Sequence, residues 1–204
     1  MIDFKLYLIT DRKVVRGDLL HAVRDALEGG VKAVQLREKD LPVREYVKLA
    51  EDMRTLTSEF GARLFINERV DIALSVGADG VHLGYSGIPP DVGRTLIGKE
   101  MMLGVSTHSV PEAIEAEMSG ADFITFGPVY ETPSKRKYGK PQGLENLRLV
   151  AKKVSIPVFG IGGIKKTNIV DVLSTGASGI ALISGILAAS DIRAEAQEYV
   201  RKAV

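Results

Sequence analysis

The strongest constraint on the fold is an alternation of short apolar runs and longer amphipathic stretches along the whole chain. Eight runs rich in β-branched residues recur, each followed by a turn and a helix-like pattern. Because strands that alternate with helices form parallel sheets, eight such units predict one (β/α)8 TIM barrel, an α/β fold, over residues 1–204. A doubly wound open sheet is the alternative. The predicted strands are 5–10, 33–38, 63–67, 80–84, 102–107, 123–129, 157–163 and 179–185.

Four joints between a helix and the next strand have similar sequences. They read GGVKAV at 29–34, GADGVHL at 77–83, GADFITF at 120–126 and GASGIAL at 176–182. Glycine at the end of a helix adopts the left-handed conformation at little cost, and a small residue then allows a tight turn into the strand. The repetition indicates one structural unit used many times, which favours the barrel.

Composition excludes several classes of protein. The 27 lysines and arginines nearly balance the 26 acidic residues, so net charge does not indicate a nucleic-acid or acidic membrane partner. The absence of cysteine excludes disulfides, thiolate metal sites and a cysteine nucleophile. There is no apolar run of about 18 residues and no signal-peptide layout at the N-terminus. We therefore predict a cytoplasmic protein with a small-molecule substrate and neither nucleic-acid nor membrane partners; a homodimer stays open.

Polar residues cluster at the predicted C-terminal ends of the strands, where barrels of this kind place their active sites. After the seventh and eighth strands, GIGGI (160–164) and ISGI (183–186) have glycines whose backbone N–H groups can bind a phosphate. The segment 130–145 is too polar and too rich in glycine and proline for a helix, and it carries four basic residues. It predicts a mobile loop over the barrel mouth that neutralises an anionic substrate.

The three histidines have different predicted roles. His21 lies in the first helix pattern and is expected at the surface or in packing. His82, inside a predicted strand, is expected to point into the barrel and to be held by hydrogen bonds. His108 follows the fifth strand, where it could transfer protons near neutral pH or order the loop.

Five segments together resemble the thiamine phosphate synthase superfamily. They are LYLITDR, VQLREKD, FINERVDIALSVGADGVHLG, GVSTHSVPEAIEAEMSGADFITFGPVYETPSK and VFGIGGI, in that order along the chain. The superfamily includes the synthases and the thiazole tautomerases. The resemblance implies a (β/α)8 barrel with one site at its mouth.

The resemblance also implies residue roles. In the synthases, an aminopyrimidine methyl pyrophosphate loses pyrophosphate, and the nitrogen of a thiazole phosphate captures the resulting carbocation-like species. Mg²⁺ and basic residues manage the leaving group. By matching motifs, pyrophosphate and pyrimidine recognition fall to Gln35, Arg37, Lys39, Asn67, Ser106 and Lys135. Recognition of the thiazole phosphate falls to Thr132, Ser134, Gly162, Gly163, Ser184 and the adjoining Gly185.

Two departures from the synthase pattern affect the metal half of this site. The pattern Asn-Asp-Arg becomes NER at 67–69, and His-Leu-Gly-Gln-x-Asp becomes HLGYSG at 82–87. One acid is thus lengthened to Glu68 and the other is replaced by Gly87. Since Mg²⁺ binds through one or two carboxylates together with phosphate oxygens, these changes indicate a weakened metal site.

The departures favour a thiazole tautomerase, an isomerase that moves a proton within a carboxylated thiazole phosphate. On this interpretation His108 and Lys135 are catalytic, and neither a metal nor another cofactor is needed. Two alternatives stay open. One is a thiamine phosphate synthase, a transferase that uses Mg²⁺ bound by Glu68, and the other is a non-catalytic regulator that binds thiazole phosphate.

Overall fold

Eight parallel strands close into a barrel in the order β1 to β8. The computed structural model describes residues 2–84, 87–132 and 140–203. Each strand pairs with its neighbour in sequence, and β8 closes the barrel on β1. The predicted (β/α)8 barrel is therefore confirmed, and the doubly wound sheet is wrong.

All eight strands lie within their predicted ranges. They are β1 (Leu6–Ile9), β2 (Ala33–Leu36), β3 (Arg63–Asn67), β4 (Gly80–Leu83), β5 (Met102–Thr107), β6 (Phe123–Phe126), β7 (Val158–Ile161) and β8 (Gly179–Leu182). The prediction extended β6 to residue 129, whereas the strand ends at Phe126. Pro128 follows closely and has no N–H group to continue the ladder, which accounts for the early end.

The described helices surround the barrel. They are α1 (Leu19–Glu28), α2 (Val43–Glu59), α3 (Val70–Val76), α4 (Pro90–Ile97), α5 (Val110–Met118), α6 (Gly143–Lys153), α7 (Ile169–Leu173), α8 (Ser184–Leu187) and α9 (Ile192–Ala203). Their apolar faces pack on the outer faces of the strands in one large core. None of the helices in the described part of the chain is long and apolar enough to cross a membrane.

The four repeated joints have the predicted conformation. The φ angles of Gly30, Gly77, Gly120 and Gly176 are 95°, 62°, 87° and 93°. These values lie in the left-handed region, which favours glycine. The local turn chemistry read from the sequence is thus confirmed.

Three of these joints also tie neighbouring strands together at the N-terminal end of the barrel. Asp79 accepts a hydrogen bond from the backbone N–H of Leu64 at 2.8 Å, and Asp122 accepts one from Leu103 at 2.7 Å. Ser178 Oγ accepts from the N–H of Val158 at 3.4 Å. These contacts lie at the end of the barrel opposite the predicted site, so we assign them to stability.

A layer of aromatic rings fills the centre of the barrel. Phe4, Tyr7, Phe65, Phe123 and Phe159 are buried, and their ring centroids lie 5.2–6.3 Å apart in stacked, tilted and edge-on pairs. These side chains make the interior a packed core, and barrels of this kind bind their ligands at the C-terminal ends of the strands.

Candidate active site

A chain of buried polar side chains forms the floor of the barrel mouth. Gln35 Nε2 donates to the Tyr7 hydroxyl at 3.3 Å, and that hydroxyl lies 3.4 Å from His82 Nδ1. His82 Nε2 is 3.0 Å from Ser106 Oγ, which also accepts from Thr125 Oγ1 at 3.4 Å. Five strand side chains thus form a continuous polar layer, which we call the polar floor. The structural role predicted for His82 agrees with this placement.

The polar floor is uncharged near neutral pH. Burial, together with the positive charge of Arg37, lowers the pKa of His82 to about 3. Burial raises the pKa of Tyr7 well above its ordinary value, against the opposing effect of the Gln35 hydrogen bond. Substrate atoms at the floor therefore meet neutral hydrogen-bonding groups.

Buried Glu38 connects the loops that follow β1 and β2. Its carboxylate accepts from Thr10 Oγ1 at 2.7 Å and from the backbone N–H of Arg12 at 3.1 and 3.2 Å. Thr10 Oγ1 in turn accepts from the backbone N–H of Arg37 at 2.9 Å. Glu38 was not predicted from the sequence, although an acid between two predicted anion-binding bases (Arg37 and Lys39) is a usable signal. Glu38 holds the loop that carries both bases.

Glu68 lines a cavity of about 230 Å³ beside the barrel mouth. The cavity is lined by Glu38, Lys39, Leu41, Tyr46, Asn67, Glu68 and Arg69. Glu68 Oε1 is buried and has no hydrogen-bond partner among the described residues, and Lys39 Nζ is 3.6 Å from it. Glu68 also has a φ of 61°, a backbone conformation that is uncommon outside glycine. A strained residue with a buried carboxylate oxygen that accepts no hydrogen bond indicates a functional position.

The longer acid at position 68 lies over two glycines that follow β4. A Cβ atom added at Gly84 would lie 2.7 Å from Glu68 Oε1, and one added at Gly87 would lie 3.5 Å from Glu68 Cγ. The extra methylene of Glu68 therefore extends over backbone that carries no side chain at Gly87. The two departures from the synthase pattern meet in space, so they are not two independent losses from the metal half of the site.

His108 orders the loop after β5. Its Nδ1 donates to the carbonyl oxygen of Gly127 at 2.6 Å, and its backbone N–H donates to Glu112 Oε2 at 2.8 Å. Ser109 caps α5 by accepting from the backbone N–H of Glu112 at 3.3 Å. These contacts join the mouth ends of β5 and β6, as the loop-ordering alternative for His108 expects.

The predicted phosphate loop after β7 needs both of its glycines. The φ angles of Gly162 and Gly163 are 97° and 66°, and a Cβ at either position would approach Pro128 or Tyr130 to 2.6 Å. Tyr130 donates its backbone N–H to the carbonyl of Gly162 at 3.0 Å. The loop after β6 therefore lies directly against this glycine turn. In the described part of the chain, neither glycine donates its own backbone N–H to another backbone carbonyl.

The remaining predicted residues are spread around the mouth. Ser184 and Gly185 open α8 directly after β8, and Thr132 lies on the segment that follows β6. Arg37 is half-buried and Lys39 is exposed at the end of β2, next to buried Asn67 on β3. Ser134 and Lys135 lie outside the described residues, as does most of the predicted mobile loop.

A second, larger depression lies away from the strand ends. It has a volume of about 700 Å³ and follows the exposed side of α5, where Val110, Ile114 and Met118 line it. It contains no residue of the polar floor or of the cavity at Glu68. We therefore place the active site at the barrel mouth.

These features define a (β/α)8 barrel whose polar site lies at the C-terminal ends of its strands. The profile of the TMP-TENI family, described as thiamine monophosphate synthase, matches residues 6–186. The chain belongs to this family.

Individual relatives agree over almost the whole chain. A Geobacter sulfurreducens protein, provisionally named a thiamine-phosphate synthase, is 57% identical over 96% of this chain and 92% of its own. The thiamine-phosphate synthase of Syntrophomonas wolfei is 46% identical over 96% of this chain and 94% of its own. The structure of thiamine phosphate pyrophosphorylase from Pyrococcus furiosus superposes with a TM-score of 0.90 at 42% identity, covering 98% of this chain and 95% of that one.

The prediction of a thiazole tautomerase is wrong. Relatives that are 41–57% identical over nearly the full chain are named as synthases, which supports the transferase alternative. The physical reason for the error lies at Glu68 and Gly87. The sequence presents two separate substitutions, whereas in the fold the longer side chain of Glu68 extends over the bare backbone of Gly87.

Proposed function

We propose that this protein is a thiamine-phosphate synthase, which joins an aminopyrimidine methyl pyrophosphate to a thiazole phosphate and releases pyrophosphate. The observation that carries the proposal is the cavity at Glu68, where a carboxylate oxygen that accepts no hydrogen bond in the described structure lies 3.6 Å from the ammonium group of Lys39. A carboxylate and a cation at one opening suit a metal-bound pyrophosphate. The synthase names of the close relatives support the same activity.

The residues of the pyrophosphate side bind and neutralise charge. Arg37 and Lys39 follow β2, and Glu38 holds their loop through Thr10 and Arg12. Cationic groups at this position stabilise the negative charge that develops on departing pyrophosphate. Because Glu38 restrains the loop before substrate arrives, the bases need little reorganisation on binding.

The donor set fits a magnesium ion. Glu68 Oε1 is a buried oxygen without a hydrogen bond in the described structure, and Asn67, whose side chain carries an amide oxygen, lines the same cavity. Mg²⁺ is bound in proteins through one or two carboxylates together with substrate phosphate oxygens. When bound, the ion supplies charge stabilisation to the leaving pyrophosphate. We propose Glu68 as its ligand.

The opposite side of the mouth binds the thiazole phosphate. In the described part of the chain Gly162 and Gly163 donate their backbone N–H groups to no backbone carbonyl, and Ser184 and Gly185 begin α8 after the neighbouring strand β8. Backbone N–H groups of this kind hold phosphate without placing a charged side chain near the reacting nitrogen. Thr132, Ser134 and Lys135 are proposed to complete this side.

The proposal is tested by measuring thiamine phosphate formation. Purified protein is given both substrates with Mg²⁺, and a matched sample contains a chelator instead. We expect product only with Mg²⁺, together with one pyrophosphate released per product. Absence of product in the presence of Mg²⁺ would refute the synthase assignment.

Alanine substitutions at the two glycines under Glu68 form a matched pair that tests its role. Gly84→Ala places a Cβ 2.7 Å from Glu68 Oε1, so the carboxylate must move, whereas the Cβ of Gly87→Ala makes only van der Waals contact with that side chain. We expect Gly84→Ala to raise the Mg²⁺ concentration for half-maximal rate about tenfold, a change of about 1.4 kcal/mol. Gly87→Ala should change it little. Equal effects of the two variants would contradict the assignment.

A further inference from the structure

Proton donation along the polar floor has one consistent direction. Gln35 Nε2 donates to the Tyr7 hydroxyl oxygen at 3.3 Å. The single proton of Tyr7 then has one acceptor within reach in the described structure, His82 Nδ1 at 3.4 Å. A buried hydroxyl that leaves its proton unpaired is costly, so Tyr7 donates to His82.

This donation sets the tautomer of His82. A neutral imidazole carries one proton, and a ring nitrogen that accepts a hydrogen bond cannot also donate one. Since Nδ1 accepts from Tyr7, Nε2 carries the proton and donates to Ser106 Oγ at 3.0 Å. No carboxylate among the described residues bonds to the ring, so nothing there balances a second ring proton.

Ser106 consequently has a free proton. Its oxygen accepts from His82 Nε2 and from Thr125 Oγ1, which fills both acceptor positions of a hydroxyl. The proton of Ser106 is left for a group outside the polar floor. Ser106 is only half-buried, whereas the other members of the polar floor are buried: Tyr7, Gln35, His82 and Thr125. The free proton therefore lies where the polar floor is open to the barrel mouth.

We propose that Tyr7 and His82 are positioning residues, which hold the Ser106 hydroxyl so that its proton is presented to an acceptor atom of the substrate. This inference rests on the proposed synthase function for the identity of the acceptor, a ring nitrogen of the aminopyrimidine. Neither Tyr7 nor His82 needs to touch the substrate. Reversal of the His82 tautomer would direct the Ser106 proton into the protein and leave the substrate nitrogen without a donor.

The packing around His82 supports a fixed ring. A Cβ added at Gly104 would lie 2.5 Å from His82 Nδ1 and 2.5 Å from Phe123 Cζ, so β5 has no side chain where the ring lies. The imidazole also contacts the rings of Tyr7 and Phe123, with centroids 5.6 and 5.7 Å away. A ring enclosed in this way cannot exchange its two nitrogens by rotation without displacing its neighbours.

The tautomer can be read directly by two-dimensional ¹H–¹⁵N NMR of the substrate-free protein labelled at histidine nitrogens. The chain has three histidines, and a His82→Gln variant identifies the signals of His82 by their loss. We expect His82 as a neutral ring protonated at Nε2. His108 provides an internal contrast, because its Nδ1 faces a carbonyl oxygen at 2.6 Å and must carry a proton. A proton on His82 Nδ1, alone or with one on Nε2, would overturn the proposal.

Variants connect the tautomer to substrate recognition. Tyr7→Phe keeps the aromatic packing but removes the donor to Nδ1, and we expect a mixture of His82 tautomers. The free aminopyrimidine alcohol, added as a calorimetric probe, should bind up to about tenfold more weakly, as expected for one hydrogen bond. Thr107→Val is the control, because it removes a hydroxyl that donates to the Thr125 carbonyl and takes no part in the polar floor. The His82 tautomer and the probe affinity should both be unchanged in this variant. Unchanged binding and an unchanged tautomer in Tyr7→Phe would overturn the proposal.

Two substitutions at His82 distinguish a positioning role of this residue from a purely structural role. Gln can place a side-chain N–H near the position of Nε2, whereas Leu cannot. We expect His82→Gln to recover part of the probe affinity and of kcat/KM that His82→Leu loses, and equal losses in both variants would overturn the role. Probe binding and the NMR spectrum need no turnover. Failure of the synthase assay with intact probe binding would therefore count against the proposed reaction and not against the positioning of Ser106.

Discussion

Replacing Glu68 with glutamine is expected to lower Mg²⁺-dependent formation of thiamine phosphate by about 100-fold or more. The substitution keeps the shape of the side chain but removes the charge of the proposed metal ligand. Metal ions contribute several kcal/mol to stabilising charge in such reactions, and about 1.4 kcal/mol corresponds to each tenfold change in rate. The measurement is the steady-state rate over a range of Mg²⁺ concentrations.

Asp40→Asn is the matched control for this experiment. Asp40 is a carboxylate on the loop after β2, but it pairs with Arg12 at 2.6 Å and with Lys13 at 2.9 Å outside the cavity. The same change of charge there should alter the rate by less than about twofold, since exposed ion pairs contribute about 0–1 kcal/mol. If Glu68→Gln retained the full Mg²⁺-dependent rate, Glu68 would not be the ligand.

Removing the Asp79 side chain is expected to lower the free energy of unfolding by about 2–3 kcal/mol. Asp79 accepts from the backbone N–H of Leu64, and it pairs with Arg54 at 2.6 Å and with Arg63 at 3.1 Å. Asp79→Ala leaves these donors without their acceptor at a half-buried position. For a chain of this length the loss corresponds to a decrease in Tm of roughly 5–10 °C, which thermal unfolding would measure.

The effect of Asp79 should depend on pH. Burial alone would raise the pKa of this carboxyl, but the hydrogen bond from Leu64 and the ion pairs with Arg54 and Arg63 lower it below its ordinary value. A carboxyl with a lowered folded-state pKa stabilises the fold above its unfolded pKa of about 3.9, and this contribution is lost as the pH falls through the folded value. The difference in stability between wild type and Asp79→Ala should therefore be full at pH 6 and decrease below about pH 4.

Glu59→Ala is the control for the effect of Asp79→Ala on the free energy of unfolding. Glu59 pairs with Arg24 at 2.9 Å, and both side chains are more than 40% exposed, so its removal should change the free energy of unfolding by less than about 0.5 kcal/mol. A difference between wild type and Asp79→Ala that stayed constant from pH 6 to pH 2 would contradict the role of the ionised carboxylate.

The fold was predictable because its signals are local. The strands β3 and β5 have the predicted bounds, since their β-branched and apolar residues differ clearly from the flanking helix patterns. The left-handed glycines at 30, 77, 120 and 176 were predicted from helix ends with the same chemistry. Strand ends at the mouth were less predictable, as at β6, where the sequence stays apolar beyond the last ladder residue.

The site was only partly predictable. Gln35, Ser106 and Asn67 lie at the mouth as expected, because alternation along a strand decides which side chains face the barrel axis. The roles of Tyr7 and Glu38 were missed. Tyr7 is indistinguishable from a core aromatic in sequence, and the partners of Glu38 are 26–28 residues away along the chain.

The sequence by itself determined the eight β/α units, their order and the polar residues at the ends of the strands. These features depend on periodicity and turn chemistry within a few residues. Only the tertiary structure decided that Glu68 extends over the bare backbone at Gly87, and that four strands place Gln35, Tyr7, His82 and Ser106 in one hydrogen-bonded chain. The physical reason is that both features depend on contacts between residues of different β/α units. Closure of the barrel brings those residues together.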